Sequence, residues 1–150
     1  SKHHWVIYRY AETLLTYAES MVNAFNDVNY TDETYKYSAL WAINEVRKNA
    51  DMPLIPSMGK EDFLERLYNE WRVEFAFEDH RFWDVRRWKI ADTTQRELYG
   101  VKIEKQADGT FNFYKNLYET RNWRDCMYLY PIPQSELYKN TNLNPQNTGW

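Results

Sequence analysis

Over the first half of the chain, apolar residues return every three or four positions. Val6, Tyr10, Leu14, Tyr17 and Met21 recur in this way and predict a helix over residues 5–25. Asp27 to Asp32 carries turn and capping residues, and Thr31 or Asp32 can cap a second helix running to about residue 49. Its apolar face would be Tyr35, Ala39, Ala42, Ile43 and Val46. Two helices joined by a short loop pack as a hairpin. The alternation of Tyr17 and Ala18 with Ala39 and Ala42 resembles that of a tetratricopeptide unit. One such unit cannot bury its own apolar face, so neighbouring sequence is expected before residue 1.

Pro53 and Pro56 then interrupt the pattern, and Gly59 precedes a third helix with Glu61 and Asp62 in its first turn. This helix is expected to run to about Glu78, to break near Asp79-His80, and to be followed by a fourth from about Arg81 to Asp92. After residue 98 the period falls to two. Val101, Ile103 and Lys105 alternate, Asp108-Gly109 is a hairpin-type turn, and Phe111 and Phe113 alternate again. A short extended run over residues 127–130 ends at Pro131-Ile132-Pro133, and Pro133-Gln134-Ser135-Glu136 can open one helical turn. The fold expected is mainly α. A tetratricopeptide-like helical hairpin (1–50) precedes a second helix pair (59–92), then a small β-hairpin and a long carboxyl-terminal loop (98–150).

The segment from Trp71 to Lys89 departs from simple amphipathicity, because arginines, acids and large aromatics occur all round it. Glu70, Glu74 and Glu78 are spaced by four and share one helix face. Arg72, Arg81, Arg86 and Arg87 can supply forked donors to Glu74, Glu78 and Asp84, with Trp83 and Trp88 as stacking surfaces. Structural ion pairing and ring packing are the expected roles of these residues.

Composition narrows the function. Thirteen Tyr, 7 Trp and 7 Phe make 18% of the 150 residues, and such polar-tipped rings suit interfaces, sugar-binding surfaces and cores alike. A net charge of -3 offers no electrostatic footprint for nucleic acid. The single Cys126 permits no intrachain disulfide and no thiolate zinc site, and is expected to be a buried, inert thiol. The only imidazoles are His3, His4 and His80, whose spacing gives no metal site. Neither a Gly-x-Ser-x-Gly elbow nor a phosphate-binding glycine loop occurs. Glu74 and Glu78 meet the separation of a glycosidase pair loosely, but a general acid needs a raised pKa and arginine neighbours act the other way. No catalytic residue, metal or cofactor is therefore assigned. For sugar contact, the better-placed aromatics are Tyr114, Tyr118 and Trp123, set beside Asn112, Asn116, Arg121 and Asn122 in what reads as an irregular segment. Packing competes with binding even there.

Three stretches carry a family resemblance. Trp71-Arg72-Val73-Glu74-Phe75-Ala76-Phe77-Glu78-Asp79-His80-Arg81-Phe82-Trp83-Asp84-Val85-Arg86-Arg87-Trp88 resembles the SusD/RagB signature, with Asp79 where that family usually has glycine. Tyr8-Arg9-Tyr10-Ala11-Glu12-Thr13-Leu14-Leu15-Thr16-Tyr17-Ala18-Glu19-Ser20 resembles its early helix, and Tyr128 to Leu137 with Asn142 to Trp150 resembles its carboxyl end. The resemblance implies an ordered, packed tail where composition alone suggests disorder. It also implies the carboxyl-terminal region of a nutrient-binding lipoprotein, anchored by lipid at the outer-membrane surface through a leader and cysteine that this sequence does not show. Such proteins capture oligosaccharide and pass it to a SusC-like TonB-dependent transporter. The partners implied are thus a glycan, that transporter and the amino-terminal part of the same protein. Two other classes stay open: a helical-repeat module that binds a protein and no sugar, and a carbohydrate-active enzyme.

Overall fold

In a computed structural model, residues 7–150 are described, and they divide between two compact units meeting at Arg81/Phe82. The expectations for residues 1–6, including the start of the first helix at residue 5, Val6 on its face, and His3 and His4, lie outside the described residues.

The first unit holds three helices, α1 (Tyr10–Phe25), α2 (Ala39–Asn49) and α3 (Lys60–Glu74). The 3.6-residue repeat determines what they bury. Leu15, Ala18 and Val22 of α1, Ala42 and Ile43 of α2, and Phe63 and Leu67 of α3 are wholly buried. Each large member of that set contributes about 2 kcal/mol through burial. α1 packs on both α2 and α3.

Helix limits differ from the periodic pattern where side chains capture backbone donors. α1 begins at Tyr10 because Arg9 is extended, at φ -130° and ψ 154°. α2 begins at Ala39, capped by Ser38, whose Oγ accepts from the Trp41 N–H at 3.1 Å. Asp32 caps no helix. Its carboxylate accepts from the N–H groups of Thr34 and Tyr35 and closes a local turn. Tyr35 consequently lies outside the α2 face, with its ring tilted against Phe25. α2 ends in a Schellman motif, with Asp51 left-handed at φ 51° and Met52 N–H bonded to the Arg47 carbonyl. α3 stops at Glu74, four residues before the expected end, and Phe77 and Asp79 are left-handed at φ 67° and 64°.

α4 (His80–Arg87) carries the signature past the unit boundary and is shorter than the periodicity implies. Lys89, left-handed at φ 54°, stops it: its N–H bonds the Arg86 carbonyl and the Ile90 N–H bonds the Val85 carbonyl. A short α5 (Ala91–Thr94) follows. In the second unit, β1 (Glu97–Lys105) and β2 (Phe111–Thr120) pair antiparallel as a two-stranded sheet turning through Asp108-Gly109. Residues 112–120, read from sequence as irregular, are strand. The register skips Tyr118 between the pairs Tyr99↔Leu117 and Leu98↔Glu119, which is a β-bulge. Cross-strand pairing puts Tyr99, Val101 and Ile103 on one face with Leu117 and Phe113, all of them substantially exposed. The opposite face carries Gly100, Lys102 and Glu104 with Asn116, Tyr114 and Asn112.

The expected extended run at 127–130 is instead a 3-10 turn over Asp125–Tyr128, with only the residues after it extended. α6 (Gln134–Lys139) develops from the helical turn expected after Pro133. The tail is ordered, as the resemblance implied. Gln146 donates to the Ile132 carbonyl at 2.8 Å and accepts from its N–H at 2.7 Å. The Asn147 amide bonds the Tyr130 carbonyl, and Trp150 Nε1 bonds the carbonyls of Cys126 and Leu129.

Candidate functional site

The signature glutamates are held by arginines from earlier in the chain. Arg9, immediately before α1, donates from Nη1 to Glu74 at 2.6 Å and from Nη2 to the Glu74 carbonyl at 2.7 Å. Its Nε and Nη2 also grip both carboxylate oxygens of Glu78 at 2.9 Å. The guanidinium lies over the Phe75 ring, 4.4 Å from its centroid. Burial works against the Arg9 charge, yet the bonds to Glu78 and Glu74 and their negative charges outweigh it and hold the pKa above its ordinary value. Beside this clamp, His80 packs against Phe75 and Trp71 and places Nε2 3.8 Å from Glu12.

A second pair is deeper. Glu70 is buried and accepts from Arg47 Nη1 at 2.5 Å, while Arg47 Nε donates to the Pro53 carbonyl at 2.7 Å. The expected helix face of Glu70, Glu74 and Glu78 is cut short, because α3 ends at Glu74 and Glu78 follows the left-handed Phe77; the arginines that grip these acids, Arg47 and Arg9, come from earlier in the chain. Arg9 had a signal, since it lies within the Tyr8 to Ser20 stretch of the early-helix resemblance. Arg72 is exposed and makes no ion pair among the described residues. Arg81 lies half-buried on α4.

The remaining signature residues belong to the second unit. Arg86 lies over the Phe82 ring at 3.6 Å, faces Trp123 at 5.3 Å, and donates to the Phe82 carbonyl. Asp84 is buried with Arg87 at 3.5 Å, and the Arg87 guanidinium stands 5.0 Å from the Trp88 ring. Trp83 is exposed and meets Phe82 edge-on.

The four aromatic and amide candidates separate. Trp123 is half-buried between Arg86 and the Tyr128 ring, and its buried indole N–H has no hydrogen-bond partner among the described residues. Tyr128 hydroxyl donates to Asp92 at 3.0 Å; burial, the largest influence, raises its pKa. Tyr114 shares the polar hairpin face, where the Asn112 amide donates to its hydroxyl at 3.3 Å. Tyr118, at the bulge, is 79% exposed, and Asn122 is exposed beyond the strand. Among the described residues there is no cluster able to hold a metal ion and no helix long and apolar enough to cross a membrane.

These features define a helical scaffold whose signature segment is locked by ion pairs and rings, followed by an exposed hairpin and a pinned tail. The sequence model of the SusD family matches residues 1–150. The chain belongs to the SusD family. SusD-like protein P2 of Formosa agariphila is 31% identical over 160 residues, covering all of this chain and 26% of that protein. A SusD-like protein of Bacteroides fragilis superposes with a TM-score of 0.76 at 35% identity, covering 97% of this chain and 26% of that one. A SusD superfamily protein of Parabacteroides distasonis, at 23% identity and a TM-score of 0.62, shares the fold. The chain thus spans about a quarter of the length of these relatives.

Proposed function

We propose that this chain is part of an outer-membrane nutrient-binding protein that captures oligosaccharide at the cell surface and delivers it to a SusC-like TonB-dependent transporter. The observation that carries this reading is the match to the SusD family across the whole chain. The work is binding and hand-over, with no bond cleaved. Glu74 and Glu78, the carboxylates nearest to a glycosidase pair by sequence, both serve as acceptors of Arg9. They act as a clamp between the start of α1 and the signature.

The signature residues Arg72, Glu74, Glu78, Arg81, Trp83, Asp84, Arg86, Arg87 and Trp88 serve as scaffold. On the second unit, Tyr114, Tyr118 and Asn122 are the solvent-open contacts for sugar, since rings and amides suit the C–H faces and hydroxyls of a pyranose. Trp123 is the most enclosed of the set. The full-length protein is anchored by lipid at the cell surface, and its amino-terminal part completes the ligand site.

Deleting the gene in its host tests the reading. Loss of surface retention and uptake of a fluorescent oligosaccharide, restored by complementation, is the expected result. Unchanged uptake of every oligosaccharide that the host takes up contradicts it. A companion assay for released reducing sugar separates an enzyme from a binder. Activity abolished by Glu74→Gln or Glu78→Gln would overturn the scaffold role of those acids.

A further inference from the structure

The first unit contains a cleft of about 430 Å³ whose floor is the outer face of α2. Trp41, Asn44, Glu45 and Lys48 line it at positions i, i+3, i+4 and i+7, opposite the buried face of Ala42, Ile43 and Val46. Its volume is within the range of small-ligand sites, about 300–1,000 Å³. We propose that this cleft is an oligosaccharide subsite with Trp41 as its stacking platform; the proposal rests on the glycan-capture reading and names a place for it on the first unit.

Rigidity is the first argument. Tyr37 stacks on Trp41, with centroids 4.2 Å apart and planes at 26°, and the Tyr37 carbonyl is tied to α1 by the Tyr17 hydroxyl at 2.6 Å. Ser38 Oγ fixes the first turn beneath the ring. Leu54 also lines the cleft, 62% exposed although the backbone on both sides of it is anchored. Arg47 holds the Pro53 carbonyl, and the Asn44 amide bonds both the N–H and the carbonyl of Ile55, at 2.8 and 3.0 Å. An apolar side chain is therefore held out to solvent beside an aromatic one by fixed backbone. A preorganised wall of that kind spares a ligand the cost of ordering it.

Ligand class follows from the chemistry of the rim. Trp41 and Leu54 offer apolar surface to the C–H face of a pyranose, and Glu45 and Lys48 offer an acceptor and donors to its hydroxyls. Glu45 and Lys48 are 3.8 Å apart, a loose contact that leaves their hydrogen-bonding capacity open. Their charges cancel, so the cleft selects for no strongly ionic ligand. Asn44, with its amide committed to Ile55, positions the wall and contacts no ligand.

The test is calorimetric titration of the wild-type chain with maltoheptaose, xylohexaose, mannopentaose and a sulfated hexasaccharide, repeated on Trp41→Ala, Glu45→Gln and Lys48→Gln. With a bound saccharide, Trp41→Ala is expected to weaken affinity about tenfold or more, and each rim variant about two- to fivefold, with circular dichroism unchanged. The two rim variants sit on the exposed side of α2 and keep the test valid if Trp41→Ala folds poorly. Saturable binding that none of the variants weakens overturns the subsite and leaves the functional reading intact. Absence of binding by wild type to every saccharide overturns the subsite together with this chain's share in glycan capture.

Discussion

Arg9 grips Glu78 through two parallel hydrogen bonds of 2.9 Å that close a loop of 69 residues. The same guanidinium bonds the side chain and carbonyl of Glu74, so four donor contacts converge at the point where α3 ends. A planar fork can meet two carboxylates and a carbonyl together; an ammonium cannot. Replacing Arg9 by Ala is expected to cost about 2 kcal/mol, since charge-assisted bonds contribute about 1.5–3 kcal/mol and this site is partly open to water. Arg9→Lys keeps the charge and loses the fork, and is expected to recover less than half of that. Urea denaturation of the three proteins measures both.

The Arg47–Glu70 pair is more buried, and its cost is asymmetric. Arg47→Met leaves a buried carboxylate without its cation and is expected to destabilise by about 3–5 kcal/mol. Adding Glu70→Leu removes that orphaned charge. The double variant is expected to be more stable than Arg47→Met alone, in the same denaturation experiment.

Asp79 occupies a left-handed position, φ 64°, where the SusD/RagB signature usually has glycine. It is exposed, so the strain is not offset by burial. Asp79→Gly is expected to stabilise by about 0.5–1 kcal/mol. In a chain of this length that raises Tm by about 1–4 °C, read by differential scanning calorimetry.

Gly149 combines φ 91° with close approach: a Cβ there would stand 2.8 Å from the Cβ of Cys126. Gly149→Ala therefore forces the tail off its seat and strains or breaks the bonds from Trp150 Nε1 to Cys126 and Leu129. Faster reaction of Cys126 with a thiol reagent is the expected result, because the half-buried thiol loses its cover. An unchanged rate contradicts the packing of the tail.

Asp108 in the hairpin turn accepts from the Thr110 hydroxyl and N–H, which hold its pKa below the usual carboxylate range. A carboxyl depressed in the folded state stabilises above its unfolded pKa, and that contribution disappears as pH falls below about 4. Asp108 is expected to titrate by NMR below a free aspartate, with the Thr110 amide shift following the same midpoint. A midpoint at or above the free value contradicts the turn geometry.

Local periodicity was sufficient for the helices and the hairpin, because these depend on neighbours within a turn, but it carried the face of Glu70 and Glu74 one turn too far, to Glu78. It placed the ends of α1 and α2 at residues 25 and 49 but overran those of α3 and α4; Lys89 is left-handed without being glycine, so the usual stop signal after α4 is absent. Nor did it reveal Arg9 and Arg47 as the partners of the signature acids, since a pairing across 65 or 23 residues leaves no periodic trace. Tyr114 and Tyr118 were visible as candidates, but the strand that carries them read as irregular because Asn112, Asn116 and the bulge weaken its alternation. The α2 cleft was hidden for another reason. Trp41 lies off the apolar face read for α2, and Leu54 stands in a separate segment between two prolines, where the clamps on Pro53 and Ile55 keep it outward.

Glycan binding by this chain is open to a thermal-shift titration against plant, host and microbial oligosaccharides. A ligand that binds only the folded state raises Tm with concentration, by about 2.7 kcal/mol of added stability at a hundredfold excess over Kd. A reproducible, saturable rise with one class of glycan is the expected result. A cooperative melt that no oligosaccharide moves would contradict a sugar site in this chain and leave it the scaffold of the larger protein.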